Sequence, residues 1–119
     1  MTPFSELKAV WHIDRIAQLR AGRDIVPTHV QIIISDLCNQ NCHFCAYRME
    51  GGFSTEKFAD SEGNRNPKRF IPAEKVKEIL DDCAKLGVGA IEFTGGGEPT
   101  VHPQCFELIA YAQKLGMQT

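Results

Sequence analysis

The chain has 119 residues, 43% of them hydrophobic and 24% charged, and thirteen Lys and Arg against fifteen Asp and Glu leave a net charge of −2. This composition fits one ordinary soluble domain and excludes a disordered or collagen-like chain, while the near balance of charge gives no general attraction to nucleic acid or an acidic lipid surface. A complete eight-unit β/α barrel takes roughly 250 residues, so a barrel signature in a chain of this length belongs to part of a barrel.

The opening residues, Met1-Thr-Pro-Phe-Ser-Glu-Leu-Lys, carry charge early and lead into no apolar run. Nothing approaches the ~18 consecutive apolar residues of a membrane span, so the expected location is the cytoplasm. From Phe4 to about Ala21, Leu7, Val10, Trp11, Ile13, Ile16 and Leu19 recur at mostly three- and four-residue spacing, which predicts an amphipathic helix ended by Gly22, with Trp11 in a core or an interface. Val30 to Ser35 is β-branched and nearly continuous in apolar residues, the pattern of a strand buried on both faces of a parallel sheet, and it runs into Cys38. Arg48 to Arg69 is polar and rich in turn residues, which predicts a long loop or lid whose Arg65, Lys68 and Arg69 form a solvated basic group.

Pro72 suits the first turn of a helix, and Val76, Ile79, Leu80 and Cys83 follow at i, i+3, i+4 and i+7 before Gly87 stops it. Ala90 to Thr94 predicts a second strand, Gly95-Gly-Gly-Glu-Pro99 a glycine-rich turn, Pro103 to Leu115 a further helix, and Met117-Gln-Thr119 the start of a third strand. Strands alternating with helices predict α/β units with right-handed crossovers and a parallel sheet.

Five cysteines in a chain of this kind point to metal or redox chemistry more than to disulfides, and an odd number cannot pair fully. Cys83 and Cys105 fall where small buried hydrophobes are expected. The other three stand in Cys38-Asn-Gln-Asn-Cys42-His-Phe-Cys45, a loop able to wrap three thiolates around one metal centre. Thiolates are soft ligands for iron–sulfur clusters, zinc or copper(I). A four-iron cubane ordinarily takes four protein thiolates, so three leave one iron open to a small molecule. The alternative is a closed structural zinc site that recruits His43, Cys83, Cys105 or a partner residue. In the glycine-rich turn, glycines permit positive φ and close backbone approach, and Glu98 supplies an acceptor suited to an ammonium group; the alternative is a connection whose glycines serve geometry alone. His102 can reach the same sheet edge, with capping or solvent exposure as the alternatives, while His12 and His29 join no constellation.

The three-then-two cysteine spacing, with aromatic Phe44 just before the last cysteine, resembles the identifying loop of the radical S-adenosylmethionine (SAM) enzymes. The resemblance implies that Cys38, Cys42 and Cys45 bind a [4Fe–4S] cluster, that the amino and carboxylate groups of SAM chelate the fourth iron, and that Phe44 lies against the adenine side. Gly96, Gly97 and Glu98 match the family's Gly-Gly-Glu, which contacts the SAM amino group. Both motifs stand at carboxyl ends of neighbouring predicted strands, in the family's order.

The implied activity is electron transfer from the reduced cluster to the SAM sulfonium, carbon–sulfur cleavage to methionine and a 5′-deoxyadenosyl radical, and hydrogen abstraction from a substrate that the sequence does not identify. Glu98 is then a positioning group, and no residue is assigned as catalytic. The implied fold is the first β/α units of a partial (β/α)6 TIM-like barrel, with residues 1–29 as an N-terminal helical extension that caps the barrel's open end and 30–119 as the N-terminal part of the barrel domain. The implied partners are a one-electron reductant such as a flavodoxin or ferredoxin, the substrate, and a possible second chain completing the barrel. Ending at Met117-Gln-Thr119 leaves an unpaired sheet edge, which is expected of a truncated product, a split enzyme or a decayed remnant. The competing class is a small non-catalytic zinc- or iron–sulfur-binding interaction protein.

Overall fold

The computed structural model describes residues 10–40, 42–45 and 70–119. The start of the first predicted helix, the loop from Arg48 to Arg69 and its basic group lie outside the described residues. The elements in chain order are α1 (Ile13–Arg20), β1 (His29–Ile33), α2 (Ala73–Leu86), β2 (Ala90–Thr94), a 3-10 turn (Pro99–Val101) and α3 (Cys105–Lys114).

β1 and β2 pair in parallel, from His29 opposite Ala90 to Ile33 opposite Thr94. A parallel pair cannot close through a tight hairpin, and α2 lies in the crossover between them. On the other edge of β2, Ile91 N–H donates to the Gln118 carbonyl at 2.8 Å and Gln118 N–H to the Gly89 carbonyl at 3.0 Å. This parallel bridge bears out the reading of Met117–Thr119 as the start of a third strand.

The core lies between the sheet and its helices, with Ile32, Ile34 and Ile91 in one cluster with Val76, Leu80, Leu108 and Ala112. The helical spacing of Val76, Leu80 and Cys83 puts all three on the buried side of α2. Gly87 ends that helix in the left-handed region at φ 83°, a conformation that costs a residue with a Cβ. Cys83 and Cys105 are buried free thiols, each raised from its ordinary pKa chiefly by desolvation, as befits packing residues.

Two expectations are corrected. β1 is not buried on both faces: Ile32 is buried, whereas His29, Gln31 and Ile33 are exposed, because the helices cover one face of the sheet among the described residues. On the open face Gln31 donates to Glu92 at 2.9 Å, and His29 stands 3.4 Å from the same carboxylate. Of the core or interface expected for Trp11, the core does not hold: Trp11 is 62% exposed and α1 buries no residue. Polar contacts hold α1 instead, since the Arg15 guanidinium donates to the carbonyls of Val26 and Gly87, the latter just past the C-terminal end of α2. α3 begins at Cys105, after the 3-10 turn, and no helix among the described residues is long and apolar enough to cross a membrane.

Leu80 is fully buried and Trp11 is not, so Leu80→Ala is expected to destabilise the fold by about 2–5 kcal/mol. Trp11→Ala should stay within about 0.5 kcal/mol. Urea denaturation of the two variants checks the layering, and a Trp11→Ala cost above that of Leu80→Ala would contradict it.

Candidate cofactor site

Parallel neighbours end on the same rim, so the segments that follow β1 and β2 meet. Past Ile33 the chain stays extended: Ile71 N–H donates to the Ile34 carbonyl at 3.0 Å, and Ser35 bridges Phe70 in antiparallel fashion. Ser35 Oγ then accepts from Leu37 N–H at 3.0 Å, turning the backbone into the cysteine loop. The Leu37 carbonyl accepts the Glu98 N–H at 2.8 Å. The cysteine loop and the glycine-rich bend are thereby joined one residue before Cys38.

This contact explains a glycine. A Cβ on Gly97 would lie 2.0 Å from the Leu37 oxygen and 2.6 Å from the Asp36 carbonyl carbon, and one on Gly95 would lie 2.4 Å from the Gly97 oxygen. Among the described residues positive φ occurs at Gly22, Gly87 and Gly116, none of them in the bend. Of the two geometric reasons for glycine here, close backbone approach is the operative one.

Cys38 and Cys45 are half-buried, Cys42 is exposed, and all three are free thiols. Gln40 N–H donates to Cys38 Sγ at 3.3 Å, and Cys45 N–H donates to the Cys42 carbonyl at 3.2 Å, closing a turn. Phe44 is 72% exposed, and His43 stands edge-on to its ring at 5.1 Å. Among the described residues no three His, Cys, Asp or Glu side chains converge closely enough to hold one metal ion. A set of three soft donors in one loop, at the rim that carries Glu98, fits a cluster in its chemistry.

Glu98 caps the 3-10 turn. Pro99 has no N–H to offer, so the first backbone donor is that of Thr100, which reaches Glu98 Oε1 at 3.1 Å, and the Thr100 hydroxyl donates to the same oxygen at 2.8 Å. These two hydrogen bonds hold the Glu98 carboxyl below its ordinary pKa, outweighing its partial desolvation. Thr100 was not singled out by sequence reasoning, although Glu-Pro-Thr carries the signal of an acceptor followed by proline at the first position of a turn.

His102 is 4% exposed. Its Nδ1 accepts from Gln104 N–H at 3.1 Å, which leaves Nε2–H to donate to the Ile71 carbonyl at 2.9 Å, and Phe70 packs edge-on at 5.2 Å. The ring ties the segment beside Ser35 to the turn after the glycine-rich bend. It reaches the expected sheet edge and is buried, not solvent-exposed, while its Nδ1 takes up a backbone N–H of the turn that leads into α3. His29 lies at the opposite end of β1, beside Glu92, and His12 is exposed.

Gly97→Ala forces a backbone shift at Leu37, with an expected cost of about 1–3 kcal/mol. Gly89→Ala, whose Cβ would meet the Thr28 oxygen at an ordinary 3.4 Å, should be close to neutral. Thermal denaturation compares the two, and equal midpoints would contradict the close approach. A carbon-detected NMR titration is expected to place the Glu98 carboxyl below 4.5. The Thr100 contacts then stabilise the fold at pH values above the unfolded pKa, and that contribution is lost as pH falls through the folded value. A midpoint at or above 4.5 would count against the capping geometry.

The family model of the radical SAM superfamily matches residues 32–118, which takes in the cysteine loop, the glycine-rich bend and most of the sheet. The chain is 35% identical over 102 residues to an S-adenosylmethionine-dependent nucleotide dehydratase of Flammeovirga pacifica, covering 86% of this chain and 31% of that protein. It is 28% identical over 90 residues to a probable GTP 3',8-cyclase of Pyrococcus horikoshii, covering 76% of this chain and 24% of the cyclase. It is 27% identical over 94 residues to the PqqA peptide cyclase of Bradyrhizobium diazoefficiens, covering 79% and 21%. The chain thus spans less than a third of the length of each of these relatives. No solved structure matches it significantly. With its α/β fold and both motif loops on one rim of a parallel sheet, the chain belongs to the radical SAM superfamily.

Proposed function

We propose that this chain is the cofactor-holding part of a radical SAM enzyme, which binds a [4Fe–4S] cluster and SAM, cleaves SAM reductively and abstracts hydrogen from a substrate. The observation that carries this reading is the 2.8 Å hydrogen bond from Glu98 N–H to the Leu37 carbonyl, which joins the bend that bears Glu98 to the start of the three-cysteine loop.

Cys38, Cys42 and Cys45 would hold three irons as thiolates. When bound, the cluster supplies one electron and an open coordination position, chemistry that no side chain of the protein can provide. The chain's own groups bind and orient. Glu98, its carboxylate held by Thr100, accepts hydrogen bonds from the SAM ammonium. Gly96 and Gly97 let the backbone approach the methionine end of SAM, and Phe44, exposed on the cysteine loop, offers its ring to the adenine.

Substrate choice belongs to other parts of the enzyme. The relatives' names include nucleotide and peptide substrates, yet all match this same region, which supports a shared cofactor role for it. The remaining barrel units, in the same polypeptide or a second chain, supply the substrate contacts, and a flavodoxin- or ferredoxin-like protein in the cytoplasm supplies the electron.

Anaerobic reconstitution of the chain with iron and sulfide is expected to give broad visible absorbance and the iron and sulfide content of one [4Fe–4S] cluster. Cys42→Ala should lose both. One tightly held zinc without sulfide, or an iron content unchanged by Cys42→Ala, would overturn the reading in favour of a small metal-binding interaction protein.

A further inference from the structure

Thr100 is the group that determines what Glu98 can present to a ligand. Its N–H and its hydroxyl both donate to Glu98 Oε1, at 3.1 and 2.8 Å, from one residue whose backbone is set by the 3-10 turn. A glutamate side chain has three freely rotating bonds, and a half-exposed one samples several rotamers unless something holds it. Two donors on one oxygen fix the plane of the carboxylate and leave Oε2 to an incoming donor. Glu98 N–H is itself committed to Leu37, so both ends of this residue are tied, the backbone to the cysteine loop and the side chain to Thr100.

We propose that Thr100 is a positioning residue for SAM: its hydroxyl locks the Glu98 carboxylate in one rotamer that leaves Oε2 for the SAM ammonium. This rests on the reading of Glu98 as the ammonium acceptor. The neighbouring titratable group is Cys105, a thiol whose pKa burial and Glu98 both raise, so it stays protonated and does not compete for the ammonium. Preorganisation of this kind appears as ligand affinity, because the free protein no longer has to order the side chain on binding.

The test compares Thr100→Val, which keeps the shape and the N–H but loses the hydroxyl, with Thr100→Ser, which keeps both donors. Three-bond couplings about the Glu98 side chain, measured on the full chain without SAM, should report one rotamer in the parent and in Thr100→Ser and averaged values in Thr100→Val. SAM affinity of the reconstituted chain should fall roughly five- to tenfold in Thr100→Val and stay within about twofold in Thr100→Ser. Unaveraged couplings in Thr100→Val, or averaged couplings with unchanged affinity, would overturn the proposal. If the parent holds Glu98 in one rotamer but reconstituted protein binds no SAM, the assignment of Glu98 to the ammonium fails, and the positioning role falls with it.

Discussion

One backbone hydrogen bond, Glu98 N–H to the carbonyl of Leu37, joins the two segments on which the chemistry depends. It forms because parallel strands release their chains on the same rim and because Gly97 presents no side chain where the Leu37 oxygen lies. Any larger residue at that position separates the bend from the cysteine loop. The three-cysteine loop and the Glu98 bend, far apart in sequence, are joined through this backbone contact.

The layers around that contact serve to hold it still. α2 and α3 bury the face of the sheet formed by Ile32, Ile34 and Ile91, which fixes where both strands end. His102 clasps Ile71, Ile71 holds Ile34, and Ser35 turns Leu37 toward the bend, a chain of hydrogen bonds that runs from the turn after β2 back to the cysteine loop. On the opposite face, exposed among the described residues, Gln31 and His29 both meet Glu92 beside the exposed Ile33.

The legible features were those that a local pattern encodes. α2 announces itself through Val76, Leu80 and Cys83 at helical spacing and Gly87 at its end, and β2 through a short apolar run before a glycine-rich turn. The two motifs could be read because their residue types and spacing carry chemistry that does not depend on the rest of the fold. What remained hidden depends on contacts between distant segments. Ile32-Ile33-Ile34 reads alike for a strand covered on both faces and for one covered on a single face, and only the placement of the helices decides. Trp11 suited a core or an interface, and it lies outside this core because α1 is held by Arg15 and not by its apolar side chains. Nothing near His102 in sequence shows that its ring would meet the carbonyl of Ile71 across 31 positions.

The electron paramagnetic resonance spectrum of the reduced, reconstituted chain, recorded with and without SAM, tests most directly whether the cysteine loop and the Glu98 bend form one cofactor site. A spectrum that changes on addition of SAM, with the change requiring higher SAM concentrations in Glu98→Gln, is the predicted result. Identical spectra with and without SAM, or a change of the same concentration dependence in Glu98→Gln, would contradict it.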